Sequence, residues 1–282
     1  MASWLIVSDS CCEIRTLENP APGVSFAVVP FKIRVGSREF TDTSMLNVSE
    51  MMAAMDNYNG ASTTACPSPE EYAQAYLQAD NVICLTISQN LSGSYNAACV
   101  ARDMVLEEYP DKRIAVVDLL SCGGELASTI WKINEWIGQG LGFAEVVEKA
   151  REYGNETHLM FLLASFENLA KNGRVNRVVG FIAGKLNMRV LGRATDTGSI
   201  EFFFKTRGES RGLARILEEM QAMDYHGQHT VVISHCNNAE GAHLLEHGIH
   251  ELWPDAPVAI LPCAGLTSFY AQDRGMIVAY CS

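Results

Sequence analysis

The sequence predicts an α/β protein built mainly on parallel strands, and three observations predict it. Short apolar runs alternate with helical patterns along all 282 residues, as strands joined by crossover helices do. Several runs, such as Met276–Tyr280, are apolar throughout, which suits strands buried on both faces. Hydrophobic residues make up 48 % of the chain and charged residues 19 %, a balance that closes a core and argues against disorder. The length fits two domains, or one large unit, at roughly 100–200 residues per domain.

In chain order, Trp4–Ser8 and Phe26–Val35 read as strands, followed by a helical pattern over 48–58. The next helix, over 69–79, carries its own start signal. Ser68 stands at the N-cap, Pro69 at the first helical position, and Glu71 completes a capping box. Val82–Ser88 is a strand that runs out through Gln89–Ser92 into a helix over 93–108. Arg113–Asp118 is a strand, and helices follow over 123–138 and 143–153. Gly138, Gly140 and Gly142 punctuate that stretch, so the domain boundary is expected near it, giving units 1–155 and 156–282. In the second unit, strands are expected at His158–Leu163, Glu201–Lys205, Thr230–Ser234, Pro257–Leu261 and Met276–Tyr280. Helices are expected over 166–171, 175–186, 208–223 and 239–252.

Charge and cysteine usage exclude several functions. The 33 acidic residues against 21 basic ones give a net charge of −12 with no basic run, which disfavours nucleic acid. The N-terminal apolar run, Trp4–Val7, is cut short by Asp9 and is too brief for a signal peptide. No run approaches the ~18 apolar residues of a membrane span. The nine cysteines are scattered, odd in number and never spaced C-x-x-C, unlike a disulfide framework or zinc ribbon. A cytoplasmic, reduced chain is expected, its cysteines acting mostly as small buried hydrophobes.

The motifs that could carry catalysis fall away on inspection. His243-Leu244-Leu245-Glu246-His247 matches H-x-x-E-H, but Ala242, Leu245, Ile249 and Leu252 form the core stripe and leave both histidines on a solvated face. Gly138–Gly142 follows a helix, where a glycine run is a stop signal rather than a dinucleotide turn. Gly180–Leu186 resembles a P-loop but is one residue short between its glycines and has Leu186 in place of Ser/Thr. No G-x-S-x-G elbow is present. Cys11 and Cys12 have only Arg15 nearby to activate them, so a structural role is favoured. Asp9 and Ser10 stand equally for a turn cap or a ligand contact. No catalytic residue, metal or other cofactor is expected. The turn Ser92-Gly93-Ser94 offers hydroxyls and free N–H groups between a strand and a helix, an anion site without an arginine. It lies where ligands bind parallel sheets, beyond the carboxyl ends of the strands. Taken alone, Ser92 also reads as an N-cap and Thr64 as an ordinary loop hydroxyl.

Taken together, these residues resemble the DegV family. Val7-Ser8-Asp9-Ser10, Val29–Ile33 and Phe40-Thr41-Asp42 are similar to its opening segments. Thr64–Ser68 resembles its T-S-x-P-S loop, and Ile87-Ser88 with Leu91–Tyr95 its I-S-x-x-L-S-G-[TS]-Y stretch. Val116-Val117-Asp118 with Gly123-Gly124, Leu169–Val175, Lys205 with Arg207, and His235–Asn238 resemble later segments in the right order.

The resemblance implies two domains: a three-layer N-terminal domain on a parallel sheet, and a second α/β domain on a mixed sheet covering an acyl chain. It implies one long-chain fatty acid, such as palmitate, bound between them. The carboxylate falls to Thr64, Ser92, Gly93 and Ser94, with Thr63, Thr267 and Ser268 as additional contacts. A separate fatty-acid kinase is an implied partner. Three departures stand out. Ala65 replaces a serine. Gly265–Tyr270 stands where the family shows H-x-G-P-G, with Thr267 or Ser268 expected to take the histidine's place. Met188–Leu191 replaces K-P-[IL]-[IL], which bears on kinase docking more than on lipid binding. A hydrolase or kinase-like enzyme of the same fold, and a lipid-sensing interaction protein, stand as alternatives to a carrier.

Overall fold

The computed structural model describes residues 3–175 and 187–282. β1 (Trp4–Asp9) ends in a 3-10 turn at Ser10–Cys12, and β2 (Val24–Val29) follows. A short excursion then forms β3 (Lys32–Val35), β4 (Arg38–Thr41), α1 (Val48–Asp56) and β5 (Thr63–Ala65). α2 (Pro69–Tyr76), β6 (Asn81–Thr86), α3 (Ser94–Glu108), β7 (Arg113–Asp118), α4 (Gly124–Gly138) and α5 (Phe143–Glu156) complete the first half. The second half runs β8 (Thr157–Leu163), α6 (Glu167–Lys171), β9 (Met188–Ala194) and β10 (Ile200–Arg207), then α7 (Glu209–Ala222). It closes with β11 (Val231–His235), α8 (Ala239–Leu252), β12 (Val258–Pro262), α9 (Gly265–Ala271) and β13 (Met276–Cys281).

The first half carries a parallel sheet, β2-β1-β6-β7. Its strands are crossed by helices on both faces, as parallel connections require. Leu5, Val7, Val82 and Cys84 pack beneath α2 and α3, while Ile6, Ile83 and Leu85 pack against α4 and α5. The second half carries a six-stranded mixed sheet, β10-β9-β8-β13-β11-β12, in which β11 and β12 run parallel and the other neighbours antiparallel. α7 and α8 cover its outer face through Leu213, Ile216, Leu245 and Ile249.

α4 lies between the two sheets. It packs on β1 from one side and on β8, β11 and β13 from the other. The approach is close because position 124 is glycine: a Cβ there would stand 2.9 Å from Val232 Cβ and 3.1 Å from Ala279 Cβ.

Most expected elements are present. The run Phe26–Val35 divides at Pro30, which lacks the N–H a continuing strand needs. β2 stays in the parallel sheet, while β3 leaves it for a small antiparallel sheet, β4-β3-β5. That excursion crosses to the other half, where Ile33, Val35, Met51 and Met52 share a core with Leu159 and Phe161. β4, β5, β9 and α9 were not expected. The helix expected over 175–186 and the glycine-lysine segment Gly180–Leu186 fall, apart from Val175, outside the described residues. The start of α2 is as its sequence dictates. The Ser68 hydroxyl accepts from Glu71 N at 3.3 Å, and the Glu71 carboxylate accepts from Ser68 N at 2.8 Å. Ser68→Ala is expected to lower stability by about 1 kcal/mol, read as a shift in the urea midpoint with unchanged slope; no shift would leave the cap without energetic weight.

Candidate functional site

Two adjoining lobes of a cavity lie between the parallel sheet and the mixed sheet. Each spans about 530 Å3 of space not filled by protein atoms, part of it open to solvent. One lobe is apolar, with Leu159, Phe161 and Leu163 from β8, Ala194 and Ile200 from the β9–β10 hairpin, and Ile277 from β13. The other reaches the ends of β1 and β6 and has a polar end, with Thr64, Ser92 and Arg174 beside Phe31 and Ile87. Leu91, Cys122, Leu169, Ile200, Tyr270 and Ile277 line both lobes.

The polar end is assembled from distant segments. Thr64 sits on β5, opposite Ile33 of β3. Its hydroxyl lies 2.9 Å from the Tyr270 hydroxyl, and either oxygen can donate. Ser92 stands in the turn before α3, where its hydroxyl accepts from Ser94 N at 3.2 Å. The Cys66 thiol, pushed up by burial, lies against Ser92. Arg174 brings a positive charge. Its guanidinium donates to Leu91 O at 3.1 Å and to Asn172 O at 2.6 Å, and lies 6.0 Å from the centre of the Tyr270 ring.

Beneath this end, buried carboxyls hold the loops. Asp9 accepts from Cys11 N at 3.1 Å, Ile87 N at 3.0 Å and the Ser94 hydroxyl at 2.7 Å. Burial pushes its pKa from 3.8 up to about 6, against the pull of those bonds. Glu13 accepts from Ala264 N at 2.7 Å and the Thr267 hydroxyl at 2.8 Å, and burial pushes its pKa from 4.5 up to about 7. Asp42 accepts from Gly265 N and Leu266 N, each at 2.9 Å, and pairs with Arg15 at 2.7 Å. Glu13 and Asp42 therefore take up N–H groups at the start of α9, which would otherwise be orphaned in the interior.

The expected site residues do not all reach the cavity. Thr64 and Ser92 line its polar end, and Gly93 flanks α3 just behind Ser92. Ser94 is fully buried, its hydroxyl held between Asp9 and the Tyr72 hydroxyl, so its side chain supports the turn instead of lining the cavity. Strand alternation turns Thr63 to solvent. Thr267 touches the wall, but its hydroxyl is taken by Glu13 and Ala264 O. The Ser268 hydroxyl is taken by Cys263 O at 3.1 Å. Asp9 and Ser10, left open between two roles, are structural: Asp9 caps the 3-10 turn, and Ser10 accepts from Phe31 N at 3.0 Å. Tyr270 and Arg174 bring further polar groups to the wall beside Thr64 and Ser92, and no sequence motif assigns either to the ligand.

Other candidate chemistry lies elsewhere. His243 and His247 are exposed on α8 and pair with Glu246 and Glu251. Among the described residues no three His, Cys, Asp or Glu side chains converge as a metal site would need, and no helix is long and apolar enough to cross a membrane. All nine cysteines are unpaired. The Cys11 thiol, facing Cys122 in the same wall, is held well above the ordinary range by that contact and by burial.

Residues 3–279 match the family model described as uncharacterised protein, DegV family. A DegV domain-containing protein of Streptococcus pneumoniae is 40 % identical over 278 residues, covering 99 % of both chains. The crystal structure of the Streptococcus pneumoniae Fatty Acid Kinase (Fak) B3 protein loaded with linoleic acid superposes with a TM-score of 0.96 at 39 % identity, covering 99 % of both chains. A DegV family protein from Eubacterium eligens loaded with heptadecanoic acid superposes with a TM-score of 0.94 at 31 % identity, again covering 99 % of both. The parallel sheet joined to a mixed sheet, the cavity between them and the match along nearly the whole chain agree: this protein belongs to the DegV family.

Proposed function

We propose that the protein binds one long-chain fatty acid, such as palmitate, in the two-lobed cavity. Thr64, Ser92 and the backbone at Gly93 hold the carboxylate, and units 1–155 and 156–282 contribute opposite walls. The observation that carries this reading is the apolar cavity with hydroxyl donors gathered at one end, in a chain about two-fifths identical to a protein crystallised with linoleic acid. The tail dominates affinity. About 14 methylenes at ~0.8 kcal/mol each amount to roughly 11 kcal/mol before ordering and association are subtracted. The Thr64 and Ser92 hydroxyls fix where the head lies, and the Arg174 guanidinium, already bonded to Leu91 O and Asn172 O, adds a positive charge beside them.

The role is that of a carrier that presents the acid to a separate fatty-acid kinase, without catalysis or a cofactor of its own. Among the described residues no histidine lines the cavity, and the Cys11 and Cys66 thiols in or beside its wall are held protonated. Nine unpaired cysteines favour the reduced environment of the cytoplasm.

The test is calorimetric titration with palmitate. Thr64→Ala combined with Ser92→Ala is expected to weaken binding about a hundredfold, at roughly 1.5 kcal/mol per hydroxyl bonded to a charged group, with the circular dichroism spectrum unchanged. Equal affinity in the double variant would remove these hydroxyls from the head-group site. Failure of the lipid-stripped wild type to bind palmitate at all would remove the reading itself.

A further inference from the structure

We propose that the Tyr270 hydroxyl is a third donor to the bound carboxylate and makes the site prefer the free acid to its ester. This rests on the fatty-acid reading. The residues first expected to supply a further donor are committed elsewhere: Thr267 to Glu13 and Ala264 O, Ser268 to Cys263 O. Tyr270 lines both lobes, and its hydroxyl stands 2.9 Å from that of Thr64, at the polar end.

Its position is fixed before any ligand arrives. Phe269, fully buried, meets the Tyr270 ring edge-on, with centroids 4.8 Å apart and planes at 88°. α9, which carries Tyr270, is anchored through its first N–H groups by Glu13 and Asp42. A hydroxyl held in this way loses little freedom on binding.

The chemistry favours donation. In the Thr64–Tyr270 pair each oxygen brings one proton, and one of the two protons is spent within the pair. A carboxylate accepts and cannot donate, so its arrival rewards turning both protons toward it. A phenol is a stronger donor than an alkyl alcohol, because its pKa of about 10 lies far below that of the alcohol. Burial pushes the Tyr270 phenol above its ordinary value and keeps its proton on, while the Thr64 hydroxyl and the Arg174 charge pull against that rise. An ester offers no negative oxygen and forfeits the charge-assisted part of the bond.

Tyr270→Phe removes the hydroxyl alone and keeps the ring against Phe269 and Arg174. Titrations of wild type and Tyr270→Phe with palmitate and with its methyl ester separate the outcomes. Palmitate affinity is expected to fall about tenfold in Tyr270→Phe, while ester affinity changes less than twofold. A tyrosine ultraviolet difference spectrum, present when wild type takes up palmitate, is expected to vanish in the variant. Equal loss on acid and ester would make Tyr270 a structural residue and overturn the proposal, as would unchanged palmitate affinity. Both results leave the fatty-acid reading standing, whereas a wild type that binds neither probe overturns reading and proposal together.

Discussion

Gly198→Val is expected to lower stability by about 4 kcal/mol and to weaken ligand binding with it. Gly198 sits in the turn of the β9–β10 hairpin at φ +72°, where an L side chain is strained by roughly 1–2 kcal/mol. Space is the second problem. A Cβ at this position would lie 2.8 Å from Leu120 O and 2.9 Å from Leu120 Cα, and would run into the Ser88 hydroxyl. Relieving such a clash costs about 1–3 kcal/mol more.

The same turn is how the hairpin is fastened to the other half. The Ser88 hydroxyl donates to Gly198 O at 2.8 Å, and the Asn90 amide donates to Thr197 O. Pushing the turn away breaks those bonds and displaces Gly198, Ser199 and Ile200 from the cavity wall. Urea unfolding gives the stability change and palmitate titration the affinity. A valine variant within about 1 kcal/mol of wild type would show that the turn does not need its left-handed residue.

Stability is also expected to fall as pH rises from about 5 to about 9. Glu125, in the first turn of α4, is only 2 % exposed. Burial pushes its pKa from 4.5 up to about 8, against the Thr157 hydroxyl, which lowers it. The folded chain therefore holds this proton to higher pH than the unfolded chain does. Between pH 4.5 and 8 folding takes up protons, so raising the pH draws the equilibrium toward the unfolded state. At about 1.4 kcal/mol per pKa unit, Glu125 amounts to on the order of 5 kcal/mol once the pH exceeds its folded value. Glu13 works in the same direction from pH 4.5 to about 7, and Asp9 from 3.8 to about 6. Urea midpoints across this range measure the slope. Glu125→Gln, which cannot ionise, is expected to flatten it above pH 7, and a variant that kept the full wild-type slope there would clear Glu125 of the effect.

What the sequence made legible follows from where the determining contacts lie. β1, β6, β8 and β13 are short apolar runs, and their burial is written in their own composition. α2 announces itself because its cap, Ser68, and the reciprocal Glu71 are three residues apart. α9 gave no such signal, because its capping groups, Glu13 and Asp42, are more than two hundred residues away in the chain. β4 and β5 are short and polar, and are held by pairing with β3 instead of by an apolar pattern. Thr64 and Ser92 each lie in a segment recognisable by family resemblance, and the structure brings both to the cavity wall. Tyr270 was not, because it meets Thr64 across 206 residues, a distance over which no local rule operates. Ser94 belongs to the same short segment as Ser92, but the helix turn carries its hydroxyl inward to Asp9, a direction set by a partner 85 residues away.

α4 has a consequence for how the molecule comes apart. Leu126, Ile130 and Ile133 belong to the core under the parallel sheet, Trp131 packs against the cores of both sheets, and Gly124 lies directly on Val232 and Ala279 of the mixed sheet. Melting either sheet strips one face of this helix and exposes what the other sheet packs on. The two halves are therefore expected to unfold in a single cooperative transition, read as one calorimetric peak; two separated peaks would show that each half keeps its core without the other.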